Sequence, residues 1–126
     1  MLRIKRVYEP QERGDGERIL VDRLWPRGLS KRAAAVDAWM KDLGPSHTLR
    51  KWFGHDPKRW TEFRRRYVAE LRSQREALAA LARKSRARAV TLLFGAHDTE
   101  HNNAVVLKRL IERRQKSGAD ARRRAA

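Results

Sequence analysis

The stretch over residues 90–111 constrains the fold more than any other part of the chain. It opens on Val90, Thr91, Leu92, Leu93 and Phe94, a short run that is apolar at nearly every position. A strand apolar on both faces belongs in a parallel sheet covered on both sides. Gly95 then frees the backbone, and a polar turn follows with His97, Asp98, Thr99, Glu100, His101, Asn102 and Asn103. Beyond it Val106, Leu107, Leu110 and Ile111 recur at helical spacing, giving a stripe that packs back on the sheet. Asp98 and Thr99 are both good N-cap types, so the helix is expected to start directly after them. The polar cluster therefore sits at a strand C-terminus and a helix N-terminus. That edge is where open α/β sheets usually bind ligands, and helix N–H groups there favour anions.

The rest of the chain supplies partners for this unit. Residues 2–8 alternate and read as a first strand, with Leu2 and Ile4 on one side and Val7 on the other. Residues 9–16 form a charged, glycine-containing loop. A second strand is read over residues 18–25, with Ile19 and Val21 on one face and Leu20 and Leu24 on the other. Asp22 and Arg23 interrupt it. An unpaired buried charge costs several kcal/mol, so each needs a partner, a wet cleft or a ligand. Pro26 stops the ladder and Gly28 permits a tight turn, which holds Arg27 on a stiff loop beside the strand end. Trp25 reads as a packing residue rather than a stacking platform.

Ser30 is expected to cap a short helix over 31–35, and residues 36–43 read as a third strand or a continued helix. Ser46 is expected to cap a helix over 47–53. Asp56 and Pro57 mark another helix start, after which Trp60, Phe63, Tyr67 and Leu71 form an apolar stripe. Ser73 and Glu76 match a capping box for a further helix through Leu78 and Leu81. The expected architecture is a small single α/β domain over residues 1–116. Its mostly parallel sheet has about four strands flanked by helices, and a flexible basic tail follows over 117–126.

There is no cysteine, which excludes disulfides and a thiol nucleophile. No segment reads as a signal peptide or a membrane span, so a cytoplasmic location is the expectation. With 31 Lys and Arg against 15 Asp and Glu, the formal charge is +16. Such a field attracts polyanions on any fold, although arginine-rich composition also serves solubility.

Three segments together resemble one family. LVDRLWPRGLS at 20–30, LRKWFGHDP at 49–57 and TLLFGAHDTEHN at 91–102 look like the DUF488 (YeaO-like) family of bacterial proteins. The resemblance covers about residues 2–114. It implies a small cytoplasmic α/β domain and no established reaction. The family motif usually reads His-Asn-His-Ala after the acidic turn, whereas this chain has His101, Asn102, Asn103 and Ala104. A tyrosine common near Phe94 is also absent.

Two functions compete. If the second and fourth strands run parallel and adjacent, Arg23, Trp25 and Arg27 meet Asp98, His101 and Asn102, with Asp22 beside them. Arg27, Asn102 and the helix N-terminus would hold a phosphate, a nucleotide or a similar small anion. His101 would act as general acid or base and Asp98 would orient it. No nucleophile elbow or glycine-rich phosphate loop is present, and His97, Asp98 and His101 lack a recognised ligand spacing, so no metal or cofactor is assigned. The alternative is a nucleic-acid-binding module without sequence preference. Residues 56–88 carry 11 basic against 4 acidic side chains, and Arg64, Arg65 and Arg72 would track phosphates there. A protein partner reading Trp39, Trp52 and Trp60 is less economical than core packing. Both a monomer and a homodimer are compatible with this domain size.

Overall fold

The computed structural model describes the backbone of residues 1–125 and side chains through Ser117. Its sheet consists of β1 (Leu2–Arg6), β2 (Glu17–Leu20), β3 (Ala38–Trp39) and β4 (Val90–Phe94). The strand order is β1-β4-β2-β3 and each neighbouring pair is parallel, as the two-sided apolar run required. β4 lies between β1 and β2, and all of its residues are buried. Val90, Leu92 and Phe94 enter the main core, while Leu93 enters a smaller core on the opposite face with Val7, Leu20 and Ala34.

The main face is covered by α2 (His47–Phe53), α3 (Trp60–Glu70), α4 (Arg75–Ala87) and α5 (Asn103–Ala125). Leu78, Leu81 and Ala82 of α4 and Ala104, Val106, Leu107 and Ile111 of α5 are buried there. Each large side chain buried this way contributes roughly 1.5–3 kcal/mol. The other face is covered by the 9–16 loop and by α1 (Lys31–Ala34), whose N-cap Ser30 accepts from Ala33 N at 3.1 Å. Expected caps also hold at Ser46, which accepts from Leu49 N, and at Asp56, which accepts from Lys58 N.

Several boundaries differ from the sequence reading. β2 ends at Leu20 rather than at Trp25. Val21 N still bonds to Leu93 O, but beyond it the Asp22 carboxylate takes over Gly95 N and the ladder stops. The uncertain 36–43 stretch holds the two-residue β3 and then a 3-10 turn, Lys41–Leu43. The turn after Asp56 is also 3-10, so α3 begins only at Trp60. The Ser73–Glu76 capping box is not formed. Ser73 Oγ donates to Glu70 O inside the 3-10 turn Leu71–Gln74, and α4 follows without a side-chain cap. The basic tail expected over 117–126 falls almost wholly outside the residues whose side chains are described.

Buried charge is concentrated on the smaller face. Arg18 is fully buried, and its guanidinium bonds Asp15 at 2.6 Å, Ala34 O at 3.1 Å and Ala35 O at 3.1 Å. Lys5 reaches the same carboxylate at 3.1 Å. A buried guanidinium persists only when its donors are spent in this way.

Candidate functional site

The C-terminal edge of the sheet opens into a cleft of about 840 Å³. Parallel pairing of β2 with β4 brings together the two polar loops that the sequence marked. Asp22, Arg23, Trp25, Arg27, Asp98, His101 and Asn102 all line it. The expected site residues are thus neighbours, but their hydrogen bonds divide them into framework and free groups.

Arg23 is framework. It donates to Pro45 O at 3.1 Å and to Gly44 O at 2.8 Å, tying the 44–45 turn to the end of β2. That turn presses so close that a Cβ on Gly44 would lie 2.6 Å from Arg23 N, so only glycine fits. Trp25 is framework too, donating from Nε1 to Leu29 O at 2.7 Å and packing edge-on against Trp39 at 5.4 Å. Asn102 is buried with both amide ends engaged. Its Nδ2 donates to Asp98 O and its Oδ1 accepts from Val105 N at 3.1 Å. Asn102 therefore caps α5, and the helix starts at Asn103 rather than directly after Asp98 or Thr99.

Asp98 instead closes the turn that precedes the helix. Its Oδ1 accepts from Glu100 N at 2.9 Å and His101 N at 3.0 Å, and its Oδ2 meets His101 Nδ1 at 2.9 Å. The Glu100 amide first, and the His101 ring after it, hold the Asp98 carboxyl below its ordinary pKa. With Nδ1 as the donor, His101 keeps Nε2 as the ring atom able to take or give a proton. The His101 ring rests edge-on against Trp60, 5.2 Å between centroids.

Asp22 is the acid of the cleft. Its Oδ1 accepts from Asn103 Nδ2 at 3.0 Å and its Oδ2 accepts from Gly95 N at 2.8 Å. Burial pushes its carboxyl pKa up. Asn103, the Gly95 amide, Arg50 and His55 pull it down without prevailing. An ion pair between Asp22 and Arg23 is not what holds either residue. Asn103 also donates to Val21 O at 3.0 Å, so the residue standing in place of the family's second histidine pins α5 to the end of β2.

The basic side chains left free belong largely to a segment that the sequence reading gave only as a helix over 47–53. Arg50 and Lys51 of α2, with His47 at its start and His55 beyond it, line the cleft together with Arg27. Among the described residues, none of these five has a carboxylate within ion-pair distance. Arg50 Nη1 is buried and has no hydrogen-bond partner. The signal lay in LRKWFGHDP at 49–57: Leu49, Trp52 and Phe53 account for packing, and the basic residues between them were left over. Phe53 and Phe63, stacked at 4.3 Å, form the apolar wall.

The helical surface is arranged differently. Arg65 and Arg66 both pair with Glu62, whose carboxyl is held down to about 2 by their hydrogen bonds, those of Arg65 first. Arg64 lies over the Trp60 ring at 5.8 Å with a buried, unpartnered Nε, and Arg72 is exposed. Trp52 lies beneath Arg66 and Arg59, at 4.3 and 5.2 Å. Among the described residues no group of three His, Asp or Glu is placed to hold a metal ion, and no helix is long and apolar enough to cross a membrane.

Fold and site define a small parallel α/β domain with a cationic cleft at the strand C-termini. The chain belongs to the DUF488 family: the model described as the inactive DUF488-N3 subclade matches residues 1–126. It is 44% identical over 106 residues to the Escherichia coli protein YeaO, covering 84% of this chain and 92% of that one. It is 40% identical over 113 residues to Rv3073c of Mycobacterium tuberculosis and to Mb3100c of Mycobacterium bovis, covering 90% of this chain and 95% of each. All three relatives are themselves uncharacterised proteins. No solved structure matches.

Proposed function

We propose that the cleft binds a small organic anion, a phosphate or a nucleotide, and holds it without turnover. The observation that carries this reading is Arg50. Its side chain lines the cleft with no carboxylate in ion-pair contact and with one guanidinium nitrogen that has no hydrogen-bond partner, so an anion bound beside it would pair its charge. Arg27 and Lys51 add charge at the same opening, and a cleft of about 840 Å³ falls within the range that encloses small ligands. Binding without chemistry fits two further facts. Asn103 stands where the resembled family motif usually has a histidine, and the matching family model is described as inactive.

The alternative, a nucleic-acid surface on the helices at Arg64, Arg65 and Arg72, draws less support. Glu62 neutralises part of that face by pairing with Arg65 and Arg66.

Titration calorimetry with inorganic phosphate and with adenosine monophosphate tests the reading. Arg50→Ala is expected to weaken binding at least about ten-fold, since a hydrogen bond to a charged group is worth roughly 1.5–3 kcal/mol. Arg72→Ala is expected to leave it unchanged. Equal affinity in the wild type and Arg50→Ala, or no heat from either ligand, would refute the pocket.

A further inference from the structure

The rim of the cleft carries a second feature that a free phosphate would not need. Tyr8, just beyond the end of β1, is 42% exposed, and Trp39, on the edge strand β3, is 38% exposed. Tyr8 follows β1 and Trp39 ends β3, so both lie at the C-terminal edge of the parallel sheet, the edge that holds the cleft. Both are joined to the cleft. Tyr8 lines it and donates from its hydroxyl to Arg27 O at 2.9 Å. Trp39 donates from Nε1 to Asp22 O at 2.7 Å and packs on Trp25. A cation lies over each ring, Arg6 at 5.0 Å from Tyr8 and Lys41 at 5.1 Å from Trp39, so a base would stack by displacing it or on the opposite face. Their hydrogen bonds fix both rings to the backbone of the loop that forms the cleft wall, so they are preorganised rather than mobile.

Rigid aromatic faces flanked by cations, leading to a charged pocket, match single-stranded nucleic acid. Unpaired bases stack on such rings whatever their sequence, and the cations follow the backbone. A duplex hides its base faces and cannot use the rings. The chain's +16 charge supplies the long-range attraction. We propose that this edge binds single-stranded nucleic acid, with bases on Tyr8 and Trp39 and one nucleotide's phosphate in the cleft at Arg50. The proposal rests on the anion-binding reading of the cleft. It differs from a basic helical surface in needing aromatics and in rejecting duplex.

Fluorescence anisotropy with labelled single strands of about twelve nucleotides, long enough for the site sizes of such grooves, tests it against the matching duplex. DNA and RNA versions decide which polymer is preferred. Single strands are expected to bind at least about ten-fold more tightly than duplex, and Tyr8→Ala or Trp39→Ala to cost on the order of ten-fold each. Trp39→Phe should restore most of the loss, and a melting curve for each variant shows that it is folded. Adenosine monophosphate should compete, and Arg50→Ala should weaken the single strand. Equal binding of duplex and single strand, or aromatic variants that bind like wild type, overturns the proposal. If phosphate and adenosine monophosphate still bind in an Arg50-dependent way, only the polymer reading has failed. If single strands bind while Arg50→Ala changes nothing and small anions do not bind, the cleft reading has failed and takes this proposal with it.

Discussion

Asp15 and Asp22 flank the same short strand and are treated in opposite ways. Asp15, before β2, is 1% exposed and meets two cations, Arg18 at 2.6 Å and Lys5 at 3.1 Å, besides the neutral Glu12 amide at 3.1 Å. Burial alone would raise its pKa, but these donors outweigh it and the carboxyl is held below its ordinary value. Asp22, after β2, meets only neutral donors in contact, and burial keeps its carboxyl raised. One end of the strand is thus closed by matched ions. The other keeps its acid tied to amides and leaves the neighbouring basic side chains without a carboxylate in ion-pair contact. Matched charge there is internal structure; unmatched charge at the cleft is available to a ligand.

The largest test of this contrast is Asp15→Ala. It leaves the buried Arg18 without a carboxylate, while Lys5 keeps Glu12 and Pro10 O, and a loss of about 3–5 kcal/mol is expected in urea unfolding. A loss below about 1 kcal/mol would mean that the carbonyl acceptors alone satisfy Arg18. Asp22→Ala is expected to cost less, roughly 2 kcal/mol. It removes the acceptor of Gly95 N, whereas Asn103 keeps Val21 O.

The two acids also predict opposite pH behaviour. With a lowered folded pKa, Asp15 stabilises the fold above its unfolded pKa, and this is lost as pH falls through the folded value. With a raised folded pKa, the contribution of Asp22 is full below its unfolded pKa and is lost as pH rises through the folded value. Acidification therefore weakens one end and strengthens the other. On acidification from neutral pH into the carboxylate range, Asp22→Asn should lose more stability than wild type, measured by denaturant midpoints at each pH. An identical slope would show that Asp22 does not titrate differently on folding.

The smallest effect is expected at Arg65→Ala. Its partner Glu62 is on the helix surface and keeps Arg66, so no measurable change in melting temperature is expected, at low salt or high. A clear drop would mean that the helical face is a coupled network rather than a set of solvated pairs.

The sequence read its candidate residues onto one edge of the sheet, and the structure brings them together there, but their hydrogen bonds were not distributed by it. LVDRLWPRGLS and TLLFGAHDTEHN were legible because charges inside apolar strands are costly and therefore conspicuous. Their hydrogen bonds were not legible. Arg23 and Asn102 were read only as ligand-binding candidates, whereas in the structure they also bind the carbonyls of Gly44 and Pro45 and the first turn of α5. Asn103 was noticed only as a missing histidine, although it joins α5 to β2. Arg50 escaped because an arginine in a short amphipathic helix reads as a solvated residue.

The sequence by itself determined the parallel sheet, the covering of β4 on both faces and the caps at Ser30, Ser46 and Asp56. Apolar runs and capping residues act through neighbours along the chain, and those are written in order. Only the tertiary structure decided which charges are matched. Arg18 found Asp15 and the carbonyls behind α1, while Arg50 found no acceptor. Side chains of one type, on elements of similar pattern, differ only in what distant segments bring within about 3 Å, the reach of a hydrogen bond.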